Sequence, residues 1–420
     1  MQTALRNAVI VLAFVVLYYP FAFGQEKKVD APSVKRAPLT VEEVETLVSG
    51  RVHPDRIVKI IRELGVGFPA TDDNVKRLEA HGVPGVVTET IKHVAIEQEK
   101  RQMERVEKLY GDGIEALGKR RFTEALDSFK AVIQLKPDHA EAHFYGGYCY
   151  AALEDFDTAI YFYKQAIRLK PDYADAFFRM GIAYDKPGRH QEAIEAYKEA
   201  ARIDPARVSV YYNMGIAYRK LGRYNEEIES YRRALSIERD NADLWMNLAA
   251  ACDKAGRYQD AIEAYENVVR LRPADAAGYY NLGVANGKLG RHEQAIEAYK
   301  AAVRIDPADG NAYYNMAFSY FQLGKRREEI EAYNSVISCQ PKNASAYFNM
   351  AVAYYSTGDM DGAIQAYTQA IEIKPDDAQA YFGLGMAFAQ KGNKVAALRC
   401  HETLRRLDTQ LAERLLKLIR

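Results

Sequence analysis

The sequence predicts an all-α protein, a right-handed α-solenoid of helix-turn-helix repeats with a small N-terminal helical module. Two observations predict it. Proline recurs on a 34-residue grid through most of the 420-residue chain, and apolar residues recur at helical spacing between the prolines. A chain of this length exceeds the size at which single hydrophobic cores usually stop growing, so several domains or a repeat array are required.

The charge composition excludes a strong overall electrostatic field. Lys plus Arg and Asp plus Glu both number 57, so nothing in the net charge would recruit nucleic acid or an anionic membrane. The 30 tyrosines beside one tryptophan indicate an amphipathic position that is used many times. Repeated hairpins provide such a position, and no nucleic-acid partner is predicted.

The N-terminus is typical of an export signal. A short basic region precedes an apolar run over 8–19 and a small-residue site that ends at Gly24. We therefore predict a signal peptide over 1–24 and a periplasmic or secreted protein with no membrane span after cleavage. The alternative is a membrane anchor through uncleaved residues 8–23, a stretch shorter than the roughly 20 residues that a spanning helix needs.

The segments between the signal and the repeats differ in composition. Residues 25–38 are rich in Lys, Pro and Ala, which predicts a flexible linker, whereas 39–95 carry helical punctuation typical of a small four-helix module. Residues 96–105 contain no Gly or Pro and predict a charged helical connector. The predicted helix starts are Thr40, Pro54, Thr71 and Pro84.

The repeat grid is carried by proline. Its members are Pro137, Pro171, Pro205, Pro273, Pro307, Pro341 and Pro375, with Arg239 at the one missing place. Nine units follow from it: 106–139, 140–173, 174–207, 208–241, 242–275, 276–309, 310–343, 344–377 and 378–411. Since one hairpin cannot bury both of its apolar faces, the units must stack on their neighbours.

The third unit shows how each repeat is built. The first helix is marked by Phe177, Met180, Gly181 and Tyr184, and the second by Ala193, Ile194, Tyr197 and Ala200. Gly188 separates the two helices, and Pro205 ends the second. A small residue at the place of Gly181 lets the two helices approach closely.

These residues resemble the tetratricopeptide repeat. The sixth unit reproduces the family pattern with Tyr279, Leu282, Gly283, Ala295, Tyr299 and Pro307, except that Asn286 replaces the expected tyrosine. The end units depart from the pattern as capping units should, and residues 412–420 predict a capping helix. Glu227 and Glu329 replace the packing alanine of two second helices, which places those hairpin contacts in question.

The resemblance implies that first helices line a concave groove. At position 6 of five consecutive units stand Asn213, Asn247, Asn281, Asn315 and Asn349. A column of amides can pair with the backbone of an extended peptide whatever its sequence, and the repeat region of O-linked N-acetylglucosamine transferases has a similar ladder. The alternative is that asparagine is simply common at this position in the family.

Two further rows follow the same faces. Position 5 carries Phe144, Phe178, Tyr212, Tyr280, Tyr314, Phe348 and Phe382, which serve either as a ligand surface or as packing. Position 13 carries Lys186, Lys220, Lys254 and Lys288, accompanied by Arg189, Arg223, Arg257 and Arg291. This basic band favours an acidic partner or a C-terminal carboxylate, unless it is a turn edge balanced by nearby glutamates.

No catalytic signature accompanies the repeats. The four cysteines, Cys149, Cys252, Cys339 and Cys400, stand at packing positions and are interpreted as free buried thiols without metal-ligand spacing. No phosphate loop, nucleophile elbow or zinc motif is present in the sequence, so no enzyme, metal or cofactor is predicted.

The predicted function is a non-catalytic scaffold that binds an extended peptide or a partner protein in the groove. One alternative is a structural or assembly factor that acts by self-association, and an oligomer is compatible with both. A more distant alternative is an accessory subunit of a glycosyltransferase-like system.

Overall fold

The structure is a computed structural model that describes residues 37–419. Within this range it contains 22 α-helices and no β-strand, apart from an isolated bridge between Leu39 and Val66. Consecutive helices pack against each other in pairs, so the predicted all-α solenoid is confirmed. The predicted signal peptide and nearly all of the predicted linker lie outside the described residues. The chain divides into two compact units after Lys170.

The first unit opens with three short helices, α1 (Val41–Ser49), α2 (Pro54–Leu64) and α3 (Asp72–Ala80). Thr40 caps α1 in a reciprocal pair with Glu43: the Glu43 N–H donates to Thr40 Oγ1, and the Thr40 N–H donates to Glu43 Oε2. The apolar faces meet in a common core with the next helix, which includes Leu39, Val44, Leu47, Ile57, Ile61, Leu78, Val87 and Ile91.

Helix α4 (Gly85–Gly118) is a single helix of 34 residues. It runs through the predicted boundaries after residues 95 and 105 without ending, because the sequence from Val86 to Tyr110 offers no Gly or Pro. Its middle packs in both directions: Gln98 Oε1 accepts from the Val66 N–H at 3.0 Å, and Gln102 Nε2 donates to the Leu135 carbonyl at 2.8 Å. The charged connector is therefore continuous with the structure on either side.

Three helices complete the first unit: α5 (Phe122–Leu135), α6 (Ala140–Ala152) and α7 (Phe156–Leu169). The end of α4 and α5 form one hairpin, and α6 and α7 form the next. A Cβ atom built on Gly113 would lie 2.8 Å from the Phe129 ring, so a glycine is required where the two helices of that hairpin approach.

The second unit contains seven helical hairpins and a final helix. The hairpins are α8 (Ala174–Asp185) with α9 (His190–Ile203), α10 (Val208–Lys220) with α11 (Tyr224–Ile237), α12 (Ala242–Lys254) with α13 (Tyr258–Leu271), α14 (Ala276–Lys288) with α15 (His292–Ile305), α16 (Gly310–Gln322) with α17 (Arg326–Cys339), α18 (Ala344–Thr357) with α19 (Met360–Ile373), and α20 (Ala378–Gln390) with α21 (Lys394–Leu407). They fall at the repeat positions that the proline grid predicts.

Local sequence sets the ends of these helices. Several first helices begin at an Asp or Asn cap, as where Asp275 accepts from the Gly278 N–H and Asn343 accepts from the Ala346 N–H, both at 3.0 Å. A second helix ends just before its proline, as α9 does at Ile203. These signals recur at each turn of the repeat, so the hairpin is encoded locally.

Each hairpin except the last is closed by one aromatic ring packed against a small residue. In the third repeat Tyr197 is buried against Gly181, where a Cβ atom would lie 2.4 Å from the ring; in the sixth repeat Tyr299 lies against Gly283 in the same way, at 2.5 Å. Glu227 and Glu329 stand at the neighbouring alanine position, yet their two hairpins pack as closely as the others. The doubt that the sequence raised about those contacts was therefore wrong.

The first helices lie on the inner side of the stack in residues 171–419. Successive first helices contact one another directly, as α8 does α10, α14 does α16 and α18 does α20. Successive second helices make no comparable contact in this range. Stacked hairpins are closer on the inside of a bend, so the first helices form the concave face of this unit.

The final helix, α22 (Thr409–Ile419), begins three residues earlier than the predicted cap and packs on α20 and α21. Leu411, Leu415 and Ile419 are buried. Leu415 lies against Gly385, with a contact of 2.4 Å to a built Cβ atom, which is the place that a tyrosine takes in the internal repeats. Leu415 of this helix thus fills the space that an aromatic ring of the second helix fills in the other hairpins.

Three of the four cysteines are buried. Cys149, Cys252 and Cys400 are buried free thiols, but Cys339 is partly exposed because it stands at the end of its helix, where its Sγ reaches the Pro307 carbonyl at 3.5 Å. The prediction of burial is therefore wrong for Cys339.

No helix between residues 37 and 419 is long and apolar enough to cross a bilayer.

Candidate binding groove

The five position-6 asparagines all lie on first helices and are all half-buried. They are Asn213 on α10, Asn247 on α12, Asn281 on α14, Asn315 on α16 and Asn349 on α18. Since the first helices form the concave face, the ladder predicted from the sequence is placed along that face, partly open to solvent. Whether a ligand touches these side chains stays a prediction.

In the later repeats, the amides are held by tyrosines of the preceding repeat. Asn315 Nδ2 donates to the Tyr280 hydroxyl at 3.1 Å, and Asn349 Nδ2 donates to the Tyr314 hydroxyl at 2.8 Å. Asn281 makes no hydrogen bond within the described residues. The tyrosine of one repeat therefore orients the amide of the next, which no reading of a single repeat could show.

In the earlier repeats, the amides are held differently. Asn213 Nδ2 donates to the Ser209 carbonyl at 2.7 Å, and Asn247 Nδ2 donates to the Asp243 carbonyl at 2.8 Å, both within their own helix. The Asn247 carbonyl oxygen accepts from Arg219 at 2.8 Å. Arg219 thus takes the role at this junction that the tyrosines take further along.

The position-5 aromatic row contributes to packing. Ring centroids of Tyr212 and Tyr231 lie 6.1 Å apart, and those of Tyr280 and Tyr299 lie 6.0 Å apart. Tyr314 makes the same kind of pair in the seventh repeat, at 5.7 Å from the ring of its second-helix tyrosine. These rings support the hairpin and, through Tyr280 and Tyr314, also position the asparagine ladder.

Arg219, which is partly exposed, forms an ion pair with the buried Glu227, and the sequence did not reveal this pair as part of the groove. Arg219 Nε donates to Glu227 Oε1 at 2.5 Å, and its Nη2 donates to the Tyr231 hydroxyl at 2.9 Å. Burial raises the pKa of the Glu227 carboxyl, and Arg219 offsets part of that increase. Glu227 Oε2 is buried without a partner. The signal available in the sequence was an acid at an alanine position with an arginine eight residues before it.

The predicted lysine band is neutralised at every second member. Lys220 Nζ lies 2.8 Å from Asp185 Oδ2, and Lys288 Nζ lies 2.7 Å from Asp253 Oδ1, each acid belonging to the preceding repeat. Lys186 and Lys254 are exposed and form no ion pair with any described residue. The lysine row therefore consists of two lysines that pair with an aspartate and two that have no ion pair with a described residue, and it is not a continuous positive strip.

The accompanying arginines lie at the turns. Arg189 pairs with Glu192 at 3.1 Å, and Arg223 pairs with Glu226 at 2.6 Å. Arg257 pairs with Asp260, while Arg291 has no ion pair within residues 37–419. Three of these four cations are thus balanced locally, as the turn-edge alternative predicts.

No group of His, Cys, Asp and Glu side chains in residues 37–419 is arranged to hold a metal ion. Burial raises the pKa of the Cys252 thiol to about 11 and that of Cys149 to about 12. These thiols remain protonated at neutral pH, so they are poor nucleophiles. What the groove offers chemically is hydrogen bonding and charge.

Models of the tetratricopeptide repeat match the chain over 110–174, 212–276 and 249–310, over 310–343 and over 332–365, and a model described as TPR repeat matches 184–222 and 353–392. The chain belongs to the tetratricopeptide repeat family. An array of these repeats supports a protein-interaction scaffold. No curated protein matches the chain significantly.

Solved structures of tetratricopeptide repeat proteins align with parts of this array. A crystal structure of MamA is 29% identical, covering 40% of this chain and 97% of its own, with a TM-score of 0.38. YrrB, titled a TPR protein with an unusual peptide-binding site, is 21% identical over 44% of this chain and 96% of its own, with a TM-score of 0.39. A tetratricopeptide repeat protein from Parabacteroides merdae is 20% identical over 59% and 98%, also at 0.39.

Proposed function

We propose that this tetratricopeptide repeat protein is a non-catalytic scaffold that binds an extended peptide or a peptide segment of a partner protein. The binding surface is the concave face of the fourth to eighth repeats, residues 208–377. The observation that carries the proposal is the half-buried asparagine ladder, whose amides are fixed from the neighbouring repeat at Asn315 and Asn349. An amide held in place loses little conformational entropy when a ligand binds, so its contribution to affinity is larger.

The ladder suits a peptide backbone more than a particular side chain. Where the tyrosine hydroxyl takes one N–H of an amide, the carbonyl oxygen of that amide has no partner among the described residues, as at Asn315 and Asn349. A carbonyl oxygen accepts from a backbone N–H, which every residue except proline supplies. The expected ligand is therefore an extended chain whose sequence is read elsewhere in the groove.

The acidic preference is proposed for the junction of the fourth and fifth repeats. The lysine of one repeat reaches position 12 of the preceding repeat, as the Lys220–Asp185 and Lys288–Asp253 pairs show. At the junction of Lys254 the residue at position 12 is Arg219, so no aspartate stands there to balance Lys254. A carboxylate of the partner, on a side chain or at a C-terminus, would take the place of the missing aspartate.

The test begins with selection of 12-residue peptides from a random displayed library on the full chain. The Kd of a selected peptide is then measured for the double variant Asn281→Ala, Asn315→Ala. Each lost hydrogen bond contributes about 1 kcal/mol, so we expect binding to weaken by about tenfold or more. Replacing Lys254 by Gln should weaken binding of peptides that contain acids and leave neutral peptides unaffected.

The matched control is Asn334→Ala, the same change on the exposed side of second helix α17. Its circular dichroism and its peptide affinity should both equal those of the unchanged protein. Equal binding by the Asn281, Asn315 double variant would show that the groove is not the site. If sedimentation shows a concentration-dependent oligomer and no selected peptide depends on the ladder, the self-association alternative is correct instead.

Export of the protein is part of the same proposal. The support is the sequence of residues 1–24, with its basic start, apolar run and small-residue site. N-terminal sequencing of the protein recovered from an envelope fraction should give Gln25 as the first residue. An intact N-terminus in a membrane pellet would indicate the uncleaved anchor through residues 8–23.

A further inference from the structure

The second-helix side of the stack has a recurring position for an aromatic ring. In the third and fourth repeats position 11 holds Tyr184 and Tyr218, both buried. A guanidinium from the following turn lies over each ring: the Arg189 carbon is 4.5 Å from the ring centroid of Tyr184, and the Arg223 carbon is 4.8 Å from that of Tyr218. A cation over a ring is attracted by the negative face of the π system. The protein thus builds a ring-and-cation stack within its own repeats.

In the sixth repeat the tyrosine ring of this stack is missing, but the arginine is present. Asn286 stands in place of the tyrosine, and its Nδ2 turns back to donate to the Leu282 carbonyl of its own helix at 2.9 Å. A cavity of about 560 Å³ opens here between α13 and α15, over α14. Asn286, Leu282, Tyr279 and Arg291 are among its lining residues. We call this cavity the sixth-repeat socket.

The arginine of the stack in the sixth repeat is Arg291, and it covers no ring of residues 37–419. Arg291 occupies the place in the sixth repeat that Arg189 and Arg223 occupy in theirs. Arg291 makes no ion pair and lies over no ring in the described part of the chain. A ring entering the socket would therefore meet a guanidinium that has no competing partner.

The rim of the socket carries excess negative charge. Glu266, Glu293 and Glu297 line it beside Arg291. Glu297 pairs with Lys300 at 2.9 Å, but Glu266 and Glu293 have no ion pair within residues 37–419. Charge complementarity therefore favours a ring that is flanked by basic residues over one flanked by acids.

The fifth repeat provides an internal comparison. Cys252 replaces the tyrosine there, and a cavity of about 480 Å³ lies beside Trp245. Two of its charged lining residues pair with each other, Arg232 with Asp260 at 3.0 Å. Asp260 also binds Arg257, which stands at the place of Arg291 in the fifth repeat. The two cavities differ in charge: two arginines and two acids line the fifth-repeat cavity, whereas one arginine and three glutamates line the sixth-repeat socket.

We propose that the sixth-repeat socket binds an aromatic side chain, flanked by Lys or Arg, of a partner polypeptide. The ring occupies the space that Tyr184 and Tyr218 fill in their own repeats, stacked beneath Arg291. The basic flanks pair with Glu266 and Glu293. This surface is separate from the concave groove and does not depend on the asparagine ladder.

The test uses the full chain and the peptide Ac-Arg-Tyr-Arg-NH2, with Kd measured by NMR titration. The decisive variant is Asn286→Tyr, which places in the sixth repeat the residue that the third and fourth repeats carry, so the fold should tolerate it. It fills the socket, and loss of the ring's burial should weaken binding at least about tenfold. Arg291→Gln should weaken binding about threefold through loss of the cation.

Peptide controls test the chemistry of the occupant. Ac-Arg-Leu-Arg-NH2 and Ac-Glu-Tyr-Glu-NH2 should each bind several times more weakly than the Arg-Tyr-Arg peptide. The matched protein control is Cys252→Tyr, which fills the fifth-repeat cavity and should leave the Kd unchanged. Unaltered binding by the Asn286→Tyr protein, or equal binding of all three peptides, would overturn the proposal. So would a dimer of the unchanged chain that Asn286→Tyr abolishes, because the occupant would then be a second copy.

Discussion

The fourth and seventh repeats carry the same unusual residue and use it differently. Each has a buried glutamate, Glu227 or Glu329, where most second helices bury an alanine. The alanines at this position are Ala125, Ala159, Ala193, Ala261, Ala295, Ala363 and Ala397. Burial raises the pKa of both carboxyls, and a neighbouring arginine opposes the increase in each case. The difference between the repeats lies in where that arginine comes from.

In the fourth repeat the arginine comes from the groove-facing helix. Arg219 is on α10, binds Glu227 on α11, and continues to Asn247 on the first helix of the next repeat. One ion pair therefore joins two helices of one repeat to the ladder of another. Asn247 is thus linked through Arg219 to an acid of the preceding repeat.

In the seventh repeat the arginine comes from the same helix as the acid. Arg326 Nη1 donates to Glu329 Oε2 at 2.7 Å, three residues along α17, and its guanidinium carbon lies 4.4 Å from the centroid of the Phe321 ring. These contacts close the turn of one hairpin and reach no asparagine. A glutamate in place of the alanine therefore contributes either to the groove or only to a local turn. Which of the two it does depends on which helix carries the arginine that pairs with it.

Arg219→Met should have the largest effect. It leaves Glu227 buried without a counterion and removes hydrogen bonds to Tyr231 and Asn247, so we expect a loss of about 2–3 kcal/mol in the free energy of unfolding. The value lies below that for a fully buried pair because Arg219 is 41% exposed and partly screened by solvent. Urea unfolding followed by circular dichroism measures it. Affinity for groove peptides should fall as well, and an unchanged affinity would separate the ion pair from the groove.

Arg326→Met should have a smaller effect that stays within the seventh repeat. Glu329 loses its partner, but no contact to another repeat is lost, so we expect about 1–2 kcal/mol by the same measurement. Groove-peptide affinity should not change. A loss of affinity equal to that of Arg219→Met would contradict the distinction between the two repeats.

Glu227→Ala should have the smallest effect at neutral pH, within about 1 kcal/mol, because it removes a costly buried carboxyl together with its pair. The pKa of Glu227 is raised in the folded protein, so its contribution to stability is present below the ordinary pKa of 4.5 and is lost as pH rises through the folded value. The alanine variant should therefore gain stability relative to the unchanged protein between pH 4 and pH 7. A difference that is constant with pH would show that Glu227 does not titrate differently on folding.

The repeat sequence predicts most of the fold because its signals are local. The cap at Asp275, the proline at 205 and the apolar spacing of Phe177, Met180 and Tyr184 each act within one hairpin, and the helices form where these signals predict them. The continuous course of α4 through the predicted boundaries also follows from the absence of Gly and Pro between Val86 and Tyr110. The Asn286 substitution was visible in the same way, as a departure from a repeated pattern, but the socket it leaves was not.

The site was less predictable because its contacts join different repeats. Tyr280 and Asn315 are 35 residues apart, and nothing in either repeat indicates that the hydroxyl of one holds the amide of the other. The lysine row appeared uniform, yet Lys220 and Lys288 are paired with acids from the repeat before them. The lysine row, which is regular in the sequence, alternates in the structure between lysines that pair with an acid and lysines that do not pair with any described residue.

By itself, the sequence determined the hairpin, its period, its ends and the residues that stand in each row, since these depend on turn chemistry and helical spacing inside one repeat. Tertiary structure decided which members of a row are held, paired or left open, because side chains from successive repeats meet only when the stack forms. Glu227 illustrates the division. Its position was readable in the chain, but its partner Arg219 and its link to Asn247 exist only where α10, α11 and α12 pack together.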